Sequence, residues 1–381
     1  MKFSDFTAGI YKQQFKYRSF SPSLINQEWT WDDPRINVLL EEANRSLGEL
    51  NAYSKIVPNV DLYIQMHIMK EATTSSQIEG TNTEFDEALQ KEEMIQPERR
   101  DDWQEVQNYV SAMNHAISSL ERLPLSLRLL CETHEKLMQG VRGENKTPGE
   151  FRRSQNWIGG SSLADAAFIP PHQDELMTLL GDLELFMHNE LIQVPHLIRC
   201  ALCHYQFETI HPFLDGNGRV GRLLITLYLV SHGLLNKPGL YLSHFLNQHR
   251  GSYYDALTRV RESNDLSHWV RFFLEAITET ARLGAKTFAG ILQIKDSVDR
   301  KLALLGKQQS AAIKLLDRLY ANPFITTNEA SEILKISYGG ARNIILSLVE
   351  QNILEKISTL NRNKVFVFSS YLRLFSSVEE R

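Results

Sequence analysis

Cysteine is scarce in this chain. Three thiols in 381 residues, Cys131, Cys200 and Cys203, are too few for a disulfide framework. Long apolar runs are missing as well, since nothing approaches the roughly 18 residues of a membrane span. The N-terminal stretch MKFSDFTAGIYKQQF has no apolar core of signal-peptide length. These absences set the expectation of a cytoplasmic protein with no membrane partner. There is no excess of positive charge either: the net charge of -5 argues against a chain that coats nucleic acid along its whole length. No internal repeat or low-complexity segment occurs.

What remains is ordinary globular composition, 43% hydrophobic and 23% charged, in a chain too long for one ordinary core. The charge is uneven. From Lys301 onward 11 basic residues face 7 acidic ones, so a tail of net +4 follows a body of net -9. A mildly basic tail of this kind hints at a nucleic-acid module.

Helical periodicity dominates. DDPRINVLLEEANRSLGELN opens with Asp33 as a cap and Pro34 at the first helical position. It then repeats apolar residues at Ile36, Leu39, Leu40, Ala43 and Leu47. NVDLYIQMHIMKEATTSSQIEG reads as a helix closed by Gly80. RRDDWQEVQNYVSAMNHAISSLERL is another, and Pro124 restarts the chain for a further one. After Asn145 the composition turns to Gly, Pro, Ser and β-formers, and NWIGG and AAFIPP look like two short strands of a hairpin flap. Helices resume near Asp174, Pro195 and Gly218 and across Tyr253 to Phe273. From Gln308 a helix, a short helix capped by Thr326 or Thr327, a turn, a third helix and two strands flanking the tip NRNK form a winged-helix pattern.

Three motif matches fail on context. GNGRVG satisfies the dinucleotide fingerprint, but a helix precedes it and no acid lies between Arg222 and Asp255. CALCH satisfies the c-type haem pattern, yet Cys200, Cys203, His204 and Phe207 fall on one face of a helix, as core residues do. LGKQQS lacks the earlier glycine of a P-loop.

The stretch HPFLDGNGRVGR, His211 to Arg222, holds together chemically. Gly216 and Gly218 allow consecutive amides to converge as an anion nest, and a helix beginning near Gly218 adds its unpaired N–H groups. Arg219 and Arg222, three apart, supply two forked cations suited to a polyphosphate. Asp215 would repel phosphate unless a metal lies between them, and Mg²⁺ held by one carboxylate and phosphate oxygens resolves the conflict. His211, four residues earlier, is positioned to take a proton from a hydroxyl attacking the phosphorus.

These twelve residues resemble the signature of Fic-domain proteins, His-Pro-Phe-x-Asp-Gly-Asn-Gly-Arg-x-x-Arg, without a substitution. The similarity runs from about Trp31 to Phe273 and includes the flap. The resemblance implies a mainly α fold, a Fic-type helical bundle with a β-hairpin flap, followed here by the winged helix-turn-helix unit. It divides the chain into an N-terminal helical region (1–120), a catalytic domain (121–280), a linker helix (281–306) and the winged helix (307–381). The implied reaction is transfer of AMP from ATP to a protein Ser, Thr or Tyr hydroxyl, including the chain's own, with release of pyrophosphate.

In that reading His211 is the general base and Asp215 holds Mg²⁺. Gly216, Asn217 and Gly218 bind the α- and β-phosphates, Arg219 and Arg222 the outer ones, with Val220 and Gly221 in the same nucleotide-binding run. Phe213 is a core anchor. Tyr253 and Tyr254 either border the adenine or pack half-buried. The flap offers a free edge on which a target segment adds as a strand.

A brake is implied too. TTSSQIEG matches the family's inhibitory Ser/Thr-x-x-x-Glu-Gly through Ser75, Glu79 and Gly80, on the helix at about 59–80. Glu79 sits at a helix C-terminus, where a carboxylate is unfavourable by up to about 1 kcal/mol, and pairing with Arg222 would offset this while filling the place of the γ-phosphate. The expected assembly is a homodimer, with DNA a candidate partner of the tail. Two other readings stand beside this one: a Fic-fold enzyme of different reaction (UMP transfer, phosphorylation or removal of AMP), and a nucleotide-sensing transcriptional regulator.

Overall fold

The computed structural model describes residues 1–141, 143, 145–357 and 364–376. The expected mainly α architecture is observed. The elements run α1 (Pro34–Ile56), α2 (Val60–Ile78), α3 (Phe85–Ala88), α4 (Arg100–Ser119), α5 (Leu127–Leu137), α6 (Leu176–His188), α7 (His196–Ile210) and α8 (Asn217–Ser231). They continue with α9 (Leu242–Gln248), α10 (Arg250–Ser263), α11 (Leu266–Leu302), α12 (Gln309–Ala321), α13 (Thr327–Leu334), α14 (Tyr338–Glu350) and α15 (Ser369–Ser376).

Local chemistry explains the boundaries. The Asp33 side chain accepts the Arg35 amide at the start of α1, with Pro34 next. Thr326 and Glu329 form a capping box on α13. The run expected from Tyr253 to Phe273 is two helices, because Asn264 takes a left-handed conformation and Asp265 caps the second.

The centre of the body is two buried helices that carry charged and polar side chains among the apolar ones. Every residue of α7 from Leu197 to Ile210 is buried, and α8 is buried from Arg219 to Leu229. These two helices pack against each other through the core, with α2 and α4 also packed on α8. Cys200 and Cys203 are buried free thiols. His204 is pinned between the Gly221 carbonyl and the Tyr253 hydroxyl, both 2.9 Å away.

Two features depart from expectation. The N-terminal region is not wholly helical: strands β1 (Gly9–Gln13) and β2 (Arg18–Pro22) form an antiparallel hairpin that pairs Tyr11 with Phe20. The Phe20 amide donates to the Ile169 carbonyl, so the hairpin lies along the flap. The span 281–306, expected as a linker helix, is helical but packed along the body. Through Leu302 it is the second half of the 37-residue helix α11, whose face packs along α1 and buries Ala281, Phe288, Ile291, Val298 and Leu302.

The C-terminal unit carries strands β3 (Phe324–Thr326), β4 (Glu355–Lys356) and β5 (Val365–Val367), antiparallel in the order β3-β5-β4. Of the expected tip NRNK, the first three residues lie outside the described residues. This unit packs on the first half of α2. Tyr320 lies 4.9 Å from Tyr63, and Phe375 meets His67 edge-on at 5.1 Å. Lys91 pairs with Glu329 at 2.9 Å across the same junction. No helix among the described residues is long and apolar enough to cross a membrane.

Candidate active site

The loop between α7 and α8 makes a tight hairpin of backbone. His211 ends α7 in the left-handed region at φ 50°, and Gly216 at φ 74° starts α8. A side chain at Gly216 would run into Met138, so glycine is required there twice over, by angle and by space. Asn217 locks the loop from inside. Its carboxamide accepts the Phe213 amide and donates to the Phe213 carbonyl, both at 2.8 Å. The side chain expected on phosphate is therefore spent on the loop, and its backbone amide remains. The amides of Asn217, Gly218 and Arg219 head the helix without intrahelical acceptors.

Phe213 is a core anchor, fully buried. The His134 ring stacks on it at 3.8 Å and 9°. His134 was not anticipated. Its Nδ1 accepts the Gly149 amide at 2.9 Å, which leaves Nε2 to donate to the Asp215 carbonyl at 3.0 Å. Burial holds its pKa down at about 4, with the Asp215 contact opposing and Arg219 assisting.

Both arginines are already neutralised. Arg222 is 2% exposed; its Nε donates to the Ser75 hydroxyl and its Nη2 to the Ser75 carbonyl, each at 2.8 Å. Nη2 also donates to Glu79 Oε1 at 2.7 Å. Glu79 caps the C-terminus of α2, and Gly80 at φ 100° turns the chain away. A β-carbon on Gly218 would overlap the Glu79 carboxylate, so that anion lies directly on the first turn of α8. Burial pushes the Glu79 carboxyl up, but the charge and hydrogen bond of Arg222, with help from Arg219 and His211, bring it below the usual range.

Arg219 is 4% exposed and pairs with the buried Glu105 of α4 at 3.1 Å, a partner that sequence reading missed. Its Nη2 also approaches the Met138 sulfur at 3.6 Å.

The rest of the predicted set divides. His211 is half-buried, and its pKa lies near 3; burial contributes most, Arg261 and Arg152 add to it, and Glu79 opposes. The ring is thus unprotonated at neutral pH. Asp215 is half-buried and accepts the Gly216 amide at 2.6 Å through Oδ1. Its Oδ2 faces Gly143, where any side chain would collide. Among the described residues no three His, Cys, Asp or Glu side chains converge as a metal-holding group. One open carboxylate beside an anion site fits a magnesium ion that arrives with phosphate, because Mg²⁺ keeps most of its ligands as water and substrate oxygen.

Val220 and Gly221 point the other way, into the core: Val220 is fully buried and Gly221 lies against Glu208 and Phe207 of α7. Tyr253 is also corrected, since it is 1% exposed with its hydroxyl on His204. Tyr254, 40% exposed, remains at the rim.

The flap is slighter than two strands. Ile158 and Phe168 form one antiparallel rung, with Ile158 N–H to Phe168 O at 2.8 Å and the reverse bond at 3.1 Å. Left-handed Gly159 and Gly160 and the Asp165 cap on Ser161 and Ser162 turn the chain too early for more. One edge is occupied by Phe20 through Ile169. On the other, the Trp157 carbonyl and the Gly159 amide, each sharing a peptide plane with a bonded group of Ile158, point away from the rung.

Comparison with known proteins agrees with this geometry. Residues 38–118 match the Fic/DOC family N-terminal model and residues 124–229 match the Fic/DOC family model. The chain therefore carries a Fic/DOC N-terminal region and a Fic/DOC domain. Among curated proteins it is similar to "Protein adenylyltransferase Fic" of Culex quinquefasciatus, with 34% identity over 160 residues, 42% of this chain and 29% of that one. The protein of the same description from Drosophila virilis is 28% identical over 277 residues, 70% of this chain and 53% of that one. The chain thus spans between about a third and a half of these relatives' length. Among solved structures, a Fic family protein from Desulfovibrio desulfuricans G20 superposes with a TM-score of 0.58 at 22% identity, covering 90% of this chain and 98% of that one. Fic-1 from C. elegans gives a TM-score of 0.51 at 20% identity, covering 69% and 75%. Both share the fold.

Proposed function

We propose that the chain is a protein adenylyltransferase held in check by Glu79. The observation that carries this reading is a carboxylate seated on the first turn of α8 and paired with Arg222, where a helix N-terminus and two buried arginines converge. A helix N-terminus with forked cations is a phosphate site, and an acid parked there competes with phosphate. Relatives described as protein adenylyltransferases support AMP as the transferred group.

In the reaction a target hydroxyl lies on the Trp157–Gly159 edge of the flap. Its oxygen attacks the α-phosphorus, the proton passes to the unprotonated His211 ring, and the α–β phosphoanhydride bond breaks. The amides at Asn217 and Gly218 hold the phosphates, and Arg222, once free of Glu79, holds the γ-phosphate. Asp215 would hold Mg²⁺, which supplies charge neutralisation for the departing pyrophosphate. The negative charge of bound ATP raises the basicity of His211 from its resting value.

The order of elements from α12 to β5 supports a winged helix. Lys335, Ser337, Tyr338, Arg342 and Asn343 are exposed around the start of α14, as a surface for DNA or a protein partner. Exposed Met177, Leu185 and Leu191 on and after α6 support a homodimer. We place the protein in the cytoplasm. Intact-mass measurement after incubation with ATP and Mg²⁺ tests the central reading. A gain of one AMP unit is expected, larger in Glu79→Gly. No gain in either protein, with ATP shown to bind, overturns it.

A further inference from the structure

The last carbonyls of α7 lie at the negative end of its dipole, immediately before His211, and two guanidinium groups cover them, the buried Arg152 and the partly buried Arg261. Arg152, 2% exposed, donates through Nε to the His211 carbonyl at 3.0 Å and through Nη2 to the Ile210 carbonyl at 3.3 Å. The same side chain reaches both feet of the flap: Nη1 donates to Ser154 O at 3.2 Å and Nη2 to Pro171 O at 2.6 Å. Arg261 of α10 lies 4.0 Å over the ring of Phe168, in the returning arm of the flap. It donates to the Glu208 carbonyl and the Thr209 hydroxyl of α7, each at 3.3 Å. Asn156, at the outgoing foot, adds bonds to the carbonyls of His211 and Phe213 at 3.0 and 2.8 Å.

Neither arginine has a carboxylate within ion-pair distance among the described residues. Each spends its donors on neutral oxygens. A buried cation without an anion is costly unless its geometry does something that a neutral side chain cannot. Here the planar fork joins three segments, 152–156, 168–171 and 208–213, that nothing in the chain's local order would keep together. Lysine, a point charge on a flexible stem, cannot reproduce it.

We propose that Arg152 and Arg261 are positioning residues that mount the flap and His211 on one frame, so that a hydroxyl docked on the flap is fixed relative to the imidazole. This rests on His211 as the base and the flap as the docking edge. Neither arginine touches the reactants. Their effect is on alignment, where an error of about 1 Å costs up to roughly a hundredfold in rate.

The test uses the full chain in the Glu79→Gly background, with Arg261→Lys, Arg152→Lys, Phe168→Leu and the double variant Arg261→Lys with Phe168→Leu. Three quantities are read: self-modification under single turnover, ATP affinity by calorimetry, and hydrogen exchange of segments 155–170 and 208–213. Transfer should fall roughly ten- to a hundredfold in Arg261→Lys, with ATP affinity within about twofold. The double variant should lose little more than Arg261→Lys alone, because both changes break one contact. Protection should fall in both segments together. Additive losses in the double variant, or ATP affinity falling in parallel with transfer, overturns the proposal. Hydrogen exchange separates this from failure of the adenylyltransferase reading: if no variant transfers AMP, joint loss of protection still supports the frame, and loss in one segment alone refutes it. Should Arg152→Lys fail to fold, Arg261→Lys and its cycle with Phe168→Leu decide the matter.

Discussion

Replacing Glu79 by glycine should accelerate self-modification, although it removes a charged group from the site. The carboxylate meets Arg222 Nη2 at 2.7 Å, and the two side chains are 35% and 2% exposed, glutamate first. A hydrogen bond to a charged group is worth about 1.5–3 kcal/mol, and solvent on the glutamate side screens this to about 1–2 kcal/mol. Releasing it shifts the competent fraction by about five- to thirtyfold. Arg222 does not collapse in the variant, since Ser75 still takes two of its hydrogen bonds. The helix loses little, because α2 already stops at this residue and Gly80 turns away. Clearing the carboxylate from Gly218 also exposes the first turn of α8 to phosphate. The assay is the initial rate of mass gain at saturating ATP and Mg²⁺. Adding Arg222→Ala should cancel most of the gain, because the benefit runs through that guanidinium. Equal rates for wild type and Glu79→Gly would refute the competition and leave Glu79 an ordinary helix-end residue.

Other outcomes follow from the same geometry. His211→Ala should abolish transfer while ATP affinity by calorimetry stays within about twofold, since the ring serves the nucleophile; a variant that modifies itself at the parental rate makes His211 structural. Arg219→Ala should weaken ATP binding and also lower the melting temperature, because the buried Glu105 loses its 3.1 Å ion pair; unchanged ATP affinity removes Arg219 from the site. Lowering the pH should destabilise the fold. Burial holds His67 and His134 near 4 and His204 and His211 near 3, so the unfolded chain takes up these protons first, and the stability present above about 6.5 is lost as pH falls below it. Glu208, raised to about 7 by burial, works in the opposite direction but is outnumbered; a melting temperature that holds or rises from pH 7 to 5 contradicts the assignment. Deleting the chain after Leu305 strips Tyr320, Tyr371 and Phe375 from Tyr63, His67 and Phe85. Calorimetry should show a loss of several kcal/mol, and a body of unchanged stability would make the tail a mere appendage.

Sequence reading reached what short-range chemistry controls. The helices follow from apolar periodicity and from caps such as Asp33 and Thr326, and the loop from His211 to Arg222 carries its glycines and charges in adjacent positions. Glu79 was legible because TTSSQIEG resembles the family's inhibitory motif, with its unfavourable place at a helix C-terminus as a lesser cue. The partners that complete the site were not, since Glu105, His134, Arg152 and Arg261 come from four separate segments and carry no local signal. Asn217 looked like a phosphate ligand, but its two contacts to Phe213 depend on the curl of the loop. Tyr253 and Tyr254 are adjacent on one helix, and only the packing of His204 assigns one to the core. The packing of the linker helix was equally out of reach, since Gly284 and Gly290 let Leu50 and Leu374, distant in sequence, approach α11 closely.

The pairing of α1 with α11 has a consequence for how the chain is made. Residues 34–56 bury their apolar face chiefly against residues 266–302. Synthesis at about 5–20 residues per second separates the two by roughly ten to forty seconds. During that interval Ile36, Leu39, Ala43, Leu47 and Leu50 have no partner to cover them, and loop closure over such a distance is slow in its own right. Nascent α1 is therefore a helix whose apolar face waits for its other half, and a substrate for whatever holds unfinished chains apart in the cell.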